Sequence, residues 1–432
     1  MSSPQDLPSI DEITESALSS SIFNHPHVRK LWELSGDKTL FKKSPDQLSS
    51  LRRDLLRSSL RFFSDMSDFY SDLFSRLEIY PESAELEDLV KLAIPSDLLR
   101  GEGYKKFLIN NVLSERHFTF SSSGTTSNVP VRVFRTYLEL AMMTKANVNL
   151  FEYVYGGELK QGEGIALFLA ARELRSRLNF VAFVDLALQA KRIPLLYGME
   201  LSKEESTGSQ WKKLVPNKKI IMEFFKSREE PKLFFTAPAG VYLLSKQFNE
   251  MNPVLKLISK LIYGLPPVDL GEGGVIVTGG GSKGFSIPGY DELVVYSRRF
   301  FKARRNGVEQ PAPFMDVLGM TETLTAMIDY YGVMNKIPHP LQEVFLIDPK
   351  TLRLIEEPGR EGILGIYDPL AISWLEVFFP GDVMKYEISD RYYGKEFKYV
   401  RRLSRDEGWE LQRACGGTLE EMMIVGDRKR PD

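Results

Sequence analysis

The chain has 432 residues, 43% of them apolar and 26% charged, with a net charge of −2 and one cysteine. That length can bury a large core and form more than one folding unit. The balanced charge gives no electrostatic footprint for nucleic acid, and a single thiol excludes an intrachain disulfide framework or a cysteine-based zinc cluster.

No apolar run approaches the ~20 residues that would cross a bilayer, and the N-terminus Met1-Ser2-Ser3-Pro4-Gln5-Asp6 is polar and acidic, so a cytoplasmic location with no membrane span is expected. The histidines, at 25, 27, 117 and 339, lack ligand spacing, and no Gly-x-Ser-x-Gly elbow occurs.

In chain order, residues 10–80 read as helical. Ser44 precedes Pro45 and Asp46 as an N-cap signal, and Leu48, Leu51, Leu55, Leu56 and Leu60 recur at helical spacing. A helical lead-in is expected over 1–115. From 116 to 395 apolar strands alternate with amphipathic helices. Strands are predicted at 164–170, 232–236, 274–278, 314–318, 343–347 and 362–367, with helix-length segments at 239–251 and 290–303. This alternation argues an α/β body with a largely parallel sheet and a later antiparallel portion. After the Pro380-Gly381 turn charge thickens, and 396–432 reads as a short C-terminal appendage.

Four loops carry candidate chemistry. Phe118-Thr119-Phe120-Ser121-Ser122-Ser123-Gly124-Thr125-Thr126-Ser127 reads as a strand entering a hydroxyl-rich turn around Gly124. Backbone N–H groups and hydroxyls there can donate to phosphate oxygens, although no lysine makes it a Walker loop. A plain surface loop is the alternative. Val275-Ile276-Val277-Thr278-Gly279-Gly280-Gly281-Ser282-Lys283 is a second strand-to-glycine transition, in which Lys283 either neutralises an anion or is merely solvated. In Asp316-Val317-Leu318-Gly319-Met320-Thr321-Glu322, a strand ends at Gly319, and Thr321 and Glu322 are predicted to open a helix running through Leu324 and Met327. Glu322 then either holds Mg²⁺ against phosphates or simply favours a helix N-terminus. In Phe378-Phe379-Pro380-Gly381-Asp382, the aspartate either accepts from a ribose diol or caps the turn.

Ser122-Ser123-Gly124-Thr125-Thr126, Gly279-Gly280-Gly281, Leu318-Gly319-Met320-Thr321-Glu322 and Gly381-Asp382 occur in the order found in adenylate-forming enzymes, which the chain resembles over about residues 50–420. Within that superfamily it looks most like the acyl-protein synthetases of bacterial bioluminescence, the LuxE-like branch, and next like phenylacetate-CoA ligases. The short length, the Gly-Gly-Gly-Ser-Lys loop and the tail with Arg405, Glu410, Arg413 and Cys415 favour the former. The departures are Ser127 for a loop glycine, Arg132 for a lysine, Ser404 for the hinge glycine, and one inserted tail residue. The full C-terminal domain of CoA ligases, with its adenylation lysine, has no room after 405, which argues against CoA ligation and leaves Lys283 or Arg405 to supply positive charge.

The resemblance implies an adenylate-forming N-terminal domain with a helical lead-in and a short C-terminal subdomain, using ATP and Mg²⁺. Ser122, Ser123, Gly124, Thr125 and Thr126 would hold phosphates, with Met320 and Thr321 beside them. Glu322 would orient Mg²⁺, Asp382 would bind the ribose, and Gly279 to Gly281 would line the adenine side. The carboxylic acid, a fatty acid in that family, would become an acyl-adenylate and then be transferred to a thiol. Cys415 is the candidate acceptor, with Arg413 able to lower its pKa; a small buried hydrophobe is the plain alternative. Phe180, Val181, Phe183, Val184, Leu186, Phe234, Phe235 and Tyr242 line an acyl pocket or form core. An acyl-accepting reductase or carrier partner follows from the same resemblance. The rival readings are transfer to CoA, an amine or a carrier, and a degenerate nucleotide- or acyl-binding module.

Overall fold

The computed structural model describes residues 6–122, 129–202, 214–254, 268–280, 287–329 and 334–403, without the side chains of 247–249. Two compact units divide the chain. The first comprises Met1–Ile10, Phe151–Met320 and Met327–Met334; the second comprises Asp11–Leu150, Thr321–Ala326 and Asn335–Asp432.

In the first unit the strands Leu195–Tyr197, Ile165–Phe168, Lys232–Thr236, Val275–Gly279 and Phe314–Leu318 lie side by side in that order, all parallel. Met327–Asp329 then pairs antiparallel with Phe314–Leu318. The three central strands are buried at every position, as continuous apolar runs demand when both faces of a parallel sheet are covered. Val241 from helix Pro238–Asn249 and Leu293 and Val294 from helix Tyr290–Phe300 join Leu167, Phe234, Ile276 and Phe314 in one core cluster.

The expected helix 290–303 ends early. It stops at Phe300, and Phe301–Arg305 forms a strand parallel to Val268–Glu272 and antiparallel to Val308–Pro311. Phe301 and Ala303 are buried while Lys302 and Arg304 are not, a two-residue alternation that outweighs helical continuation.

The second unit carries the helical lead-in. Helix Pro45–Met66 starts where predicted: the Ser44 hydroxyl accepts from Gln47 N at 3.3 Å, the Gln47 side chain accepts from Ser44 N at 3.0 Å, and Pro45 occupies the first turn. Leu48, Leu55, Leu56, Leu60, Phe62 and Phe63 form its buried face. The sheet of this unit is mostly antiparallel. Gly362–Tyr367 pairs with Glu343–Ile347, Val377–Phe379 and Asp382–Ile388; Lys395–Arg402 follows, then Asn335–Pro338. Ile94–Pro95 adds a short parallel strand on Val377–Phe379.

A separate hairpin joins His117–Ser121 to Arg132–Thr136 and feeds helix Tyr137–Tyr155. Glu139 locks that junction. Its Oε2 accepts from Thr136 N at 2.7 Å and from Thr136 Oγ1 at 3.0 Å. Its Oε1 accepts from Ile372 N and Ser373 N, both at 2.9 Å, and from Ser373 Oγ at 2.7 Å. Among the described residues no helix is long and apolar enough to cross a membrane.

These contacts rank two variants. Ser44→Ala should cost about 1 kcal/mol. Glu139→Ala strands buried amides at 372 and 373 and should cost about 3 kcal/mol. Urea denaturation followed by tryptophan fluorescence should show the larger fall in midpoint for Glu139→Ala.

Candidate functional site

The candidate residues divide between the two units. In the first, Gly279 ends its strand beside Val317, and Gly280 follows with φ +83°. The Phe180 ring, at the start of helix Asn179–Ala190, lies so close to Gly279 that a Cβ there would sit 2.8 Å from the ring, and 3.6 Å at Gly319. Asn179 Nδ2 donates to the Met320 carbonyl at 3.3 Å. These loops thus lie at the C-terminal edge of the parallel strands, where α/β folds place ligands. Of the apolar stripe, Val181, Val184, Leu186, Phe234 and Phe235 are buried core, whereas Phe180, Phe183 and Tyr242 are half-buried.

In the second unit the predicted helix at Thr321 does not form. Residues 321–326 are an irregular loop before strand Met327–Asp329. Side chains take the polar groups that a helix would have satisfied. Arg135 Nη2 donates to the Glu322 carbonyl. Asn147 Nδ2 donates to Leu324 O at 2.7 Å, and its Oδ1 accepts from Ala326 N at 2.8 Å. Asp368 Oδ2 accepts from Thr325 N at 2.7 Å and from Thr325 Oγ1 at 2.6 Å. With its carbonyls and amides answered from elsewhere, the segment has no need of helical bonds.

Glu322 is 8% exposed. Burial raises its carboxyl pKa, and Arg402 and Arg135 are among the groups that offset the rise. No basic side chain is ion-paired with that carboxyl among the described residues. Behind it, Arg135 Nη1 meets Glu376 Oε2 at 2.9 Å with both side chains wholly buried. The Glu376 pKa is raised well above the ordinary glutamate value, chiefly by burial, with Arg135 opposing and the Asp368 and Glu139 carboxyls adding to the rise.

Asp382 follows the Pro380-Gly381 turn, where Gly381 adopts φ +85°. Its Oδ1 accepts from Arg402 Nη1 at 2.8 Å, across a register that pairs the two residues. Ser122 closes the base of the hairpin: its N donates to Val131 O at 2.9 Å and its hydroxyl accepts from Val131 N at 3.1 Å. That hydroxyl keeps its own proton for a further acceptor. Ser123, Gly124, Thr125, Thr126, Gly281, Lys283, Arg405 and Cys415 lie outside the described residues.

Motif reading missed Arg135, Glu139, Asp368 and Glu376. For Glu139 a signal existed, because Thr136-x-x-Glu139 has capping-box spacing. The others contact residues distant in sequence, such as Arg135 and Glu376 at a separation of 241.

In fold the chain is similar to solved ligase structures, 2-hydroxyisobutyryl-CoA ligase among them. Against that enzyme in complex with 2-HIB-AMP and CoA in the thioesterification state, the match is 11% identical with a TM-score of 0.58, covering 85% of this chain and 70% of the ligase. Against its open conformation with the same ligands, the match is 12% identical with a TM-score of 0.56, covering 84% and 77%. At such identity the likeness is one of fold. No protein-family model matches the sequence, and no curated protein does.

Burial, opposed by Arg402, puts the Asp382 pKa above the ordinary 3.8. A raised folded value means that its contribution to stability is present below 3.8 and lost as pH rises through the folded value. Arg402→Gln removes the opposing charge, so the loss should extend to higher pH. An NMR titration of the Asp382 carboxyl should move upward in that variant.

Proposed function

We propose that this protein activates a carboxylic acid with ATP as an acyl-adenylate and passes the acyl group to a thiol. The observation that carries this reading is the loop after Phe314–Leu318, which ends in a buried glutamate whose main chain is held by a buried arginine. The fold likeness to a ligase captured with 2-HIB-AMP and CoA supports the same chemistry.

In the first half-reaction a carboxylate oxygen attacks the α-phosphorus of ATP. A carboxyl–phosphorus bond forms, the bond to the bridging oxygen breaks, and pyrophosphate leaves with the electron pair. The protein's part is to align the reactants and neutralise charge. Ser122, Ser123, Gly124, Thr125 and Thr126 would donate to phosphates, with Met320 and Thr321 beside them. Asp382 would take a ribose hydroxyl, for which the carboxylate must exchange part of its bond to Arg402. Gly279 and Gly280 would leave room on the adenine side, and Lys283 or Arg405 would supply further positive charge.

Glu322 would hold magnesium, an ion usually held by one or two carboxylates plus phosphates and water. When bound, it would neutralise phosphate charge.

In the second half-reaction a thiolate attacks the acyl carbonyl, forming a thioester and expelling AMP. On the acyl-protein synthetase reading that thiol is Cys415, the acid is a fatty acid, and a reductase or carrier draws the acyl group away. The CoA bound to the structurally similar ligase favours a second reading, in which CoA is the acceptor.

Carboxylate-dependent exchange of labelled pyrophosphate into ATP, across fatty, aryl and short hydroxy acids, tests the first half. Exchange should occur with at least one acid and fall about 100-fold or more in Glu322→Ala. Silence from folded, ATP-binding protein would favour a binding module. Cys415→Ser should keep exchange and lose self-acylation; if acyl transfer to CoA proceeds unchanged in that variant, the second reading stands.

A further inference from the structure

The buried Arg135–Glu376 pair has no part in the chemistry above. Both side chains are 0% exposed. Desolvating two ionisable groups is costly, and apolar residues of the same volume often serve stability as well or better. The pair is also incompletely satisfied: Arg135 Nε and Glu376 Oε1 have no hydrogen-bond partner among the described residues. A bridge serving stability alone would gain by closing both atoms.

What the pair supplies is direction. A guanidinium presents its donors in a rigid plane, so fixing one donor aims the others. Arg135 Nη1 is fixed on Glu376 Oε2 at 2.9 Å, and Nη2 then meets the main-chain carbonyl of Glu322. No helix or strand ladder constrains residues 321–326. Asp368 and Asn147 hold the loop at 324–326, downstream of Glu322, whereas Arg135 grips Glu322 itself.

We infer that Arg135, steered by Glu376, is a positioning residue that aims the Glu322 carboxylate at its nucleotide-bound cation by clamping that residue's own carbonyl. The inference rests on the reading of Glu322 given above. Arg135 touches no reacting atom; it acts on Glu322 through the loop backbone and, more weakly, through its charge.

The test compares full-length wild type with Arg135→Lys, Glu376→Gln, the apolar double variant Arg135→Met with Glu376→Leu, and Glu322→Ala. Three readouts are needed: thermal midpoint, pyrophosphate exchange, and calorimetric binding of ATP with and without magnesium. Lysine cannot bridge both acceptors in one plane, and the double variant removes the clamp while keeping an apolar fill. Both should lose roughly 10- to 100-fold in exchange kcat, and the magnesium-dependent gain in ATP affinity should fall in step. The KM for the acid should not change. Combined with Glu322→Ala, the double variant should cause no further loss. Should Arg135→Lys fail to fold, Glu376→Gln carries the test, because it keeps volume and an acceptor while loosening the anchor, and it should lose part of the magnesium-dependent affinity.

A folded double variant with wild-type exchange and normal magnesium-dependent ATP binding overturns the inference and leaves the pair a structural bridge. Losses that add to those of Glu322→Ala overturn it as well. If Glu322→Ala alone changes neither readout, the assignment of Glu322 fails, an outcome distinct from failure of the clamp.

Discussion

A guanidinium with no exposed surface is among the most demanding groups a protein interior can accommodate, and the local order of the second unit is arranged to meet Arg135. Arg135 lies on the hairpin strand Arg132–Thr136, and the residues that follow it continue the fastening. Thr136 and Glu139 start the next helix and grip the amides of 372 and 373, while Arg135 reaches Glu376 and the Glu322 carbonyl. One short stretch of chain therefore fastens two distant segments through side-chain bonds, where water does not compete and each bond is stronger. The loop 321–326 owes its irregular course to that fastening at Glu322 together with Asn147 and Asp368 at 324–326.

The same fact explains what could be read in advance. Buried strands announce themselves as apolar runs, and the parallel strands 232–236 and 314–318 and the antiparallel strands 343–347 and 362–367 emerged with the expected bounds. The cap at Ser44 was equally legible, because its partner lies three residues away. Thr321-Glu322 misled because the pattern that favours a helix start is local, whereas the groups that override it, Arg135, Asn147 and Asp368, arrive from other parts of the chain. At 300–303 the local pattern did hold the answer, since buried Phe301 and Ala303 alternate with partly exposed Lys302 and Arg304, but the preceding helical period masked it.

Motif order singles out Glu322 and Asp382, yet spacing could not show their surroundings. Asp382 is already bonded to Arg402, and the Ser122 hydroxyl is engaged at the hairpin base. The glycines are better explained by shape: Gly279 and Gly319 flank the Phe180 ring, so a side chain at Gly279 would collide with it. A fold likeness with 11% identity is consistent with this division. Alternation of strands and helices survives wide substitution, whereas the polar bonds that tune a site depend on individual residues.

The sequence separation of the Arg135 contact also has a bearing on biosynthesis. Glu376 is made 241 residues after Arg135, and Ile372 and Ser373 are made more than 230 residues after Glu139, at separations of 233 and 234. On a ribosome adding about 5–20 residues each second, the hairpin and its helix wait tens of seconds before either clamp can close. Throughout that interval an arginine and a glutamate destined for the interior stay hydrated. The second unit thus completes its core only as the last strands emerge, while the parallel strands of the first unit, all within residues 165–318, can already be paired.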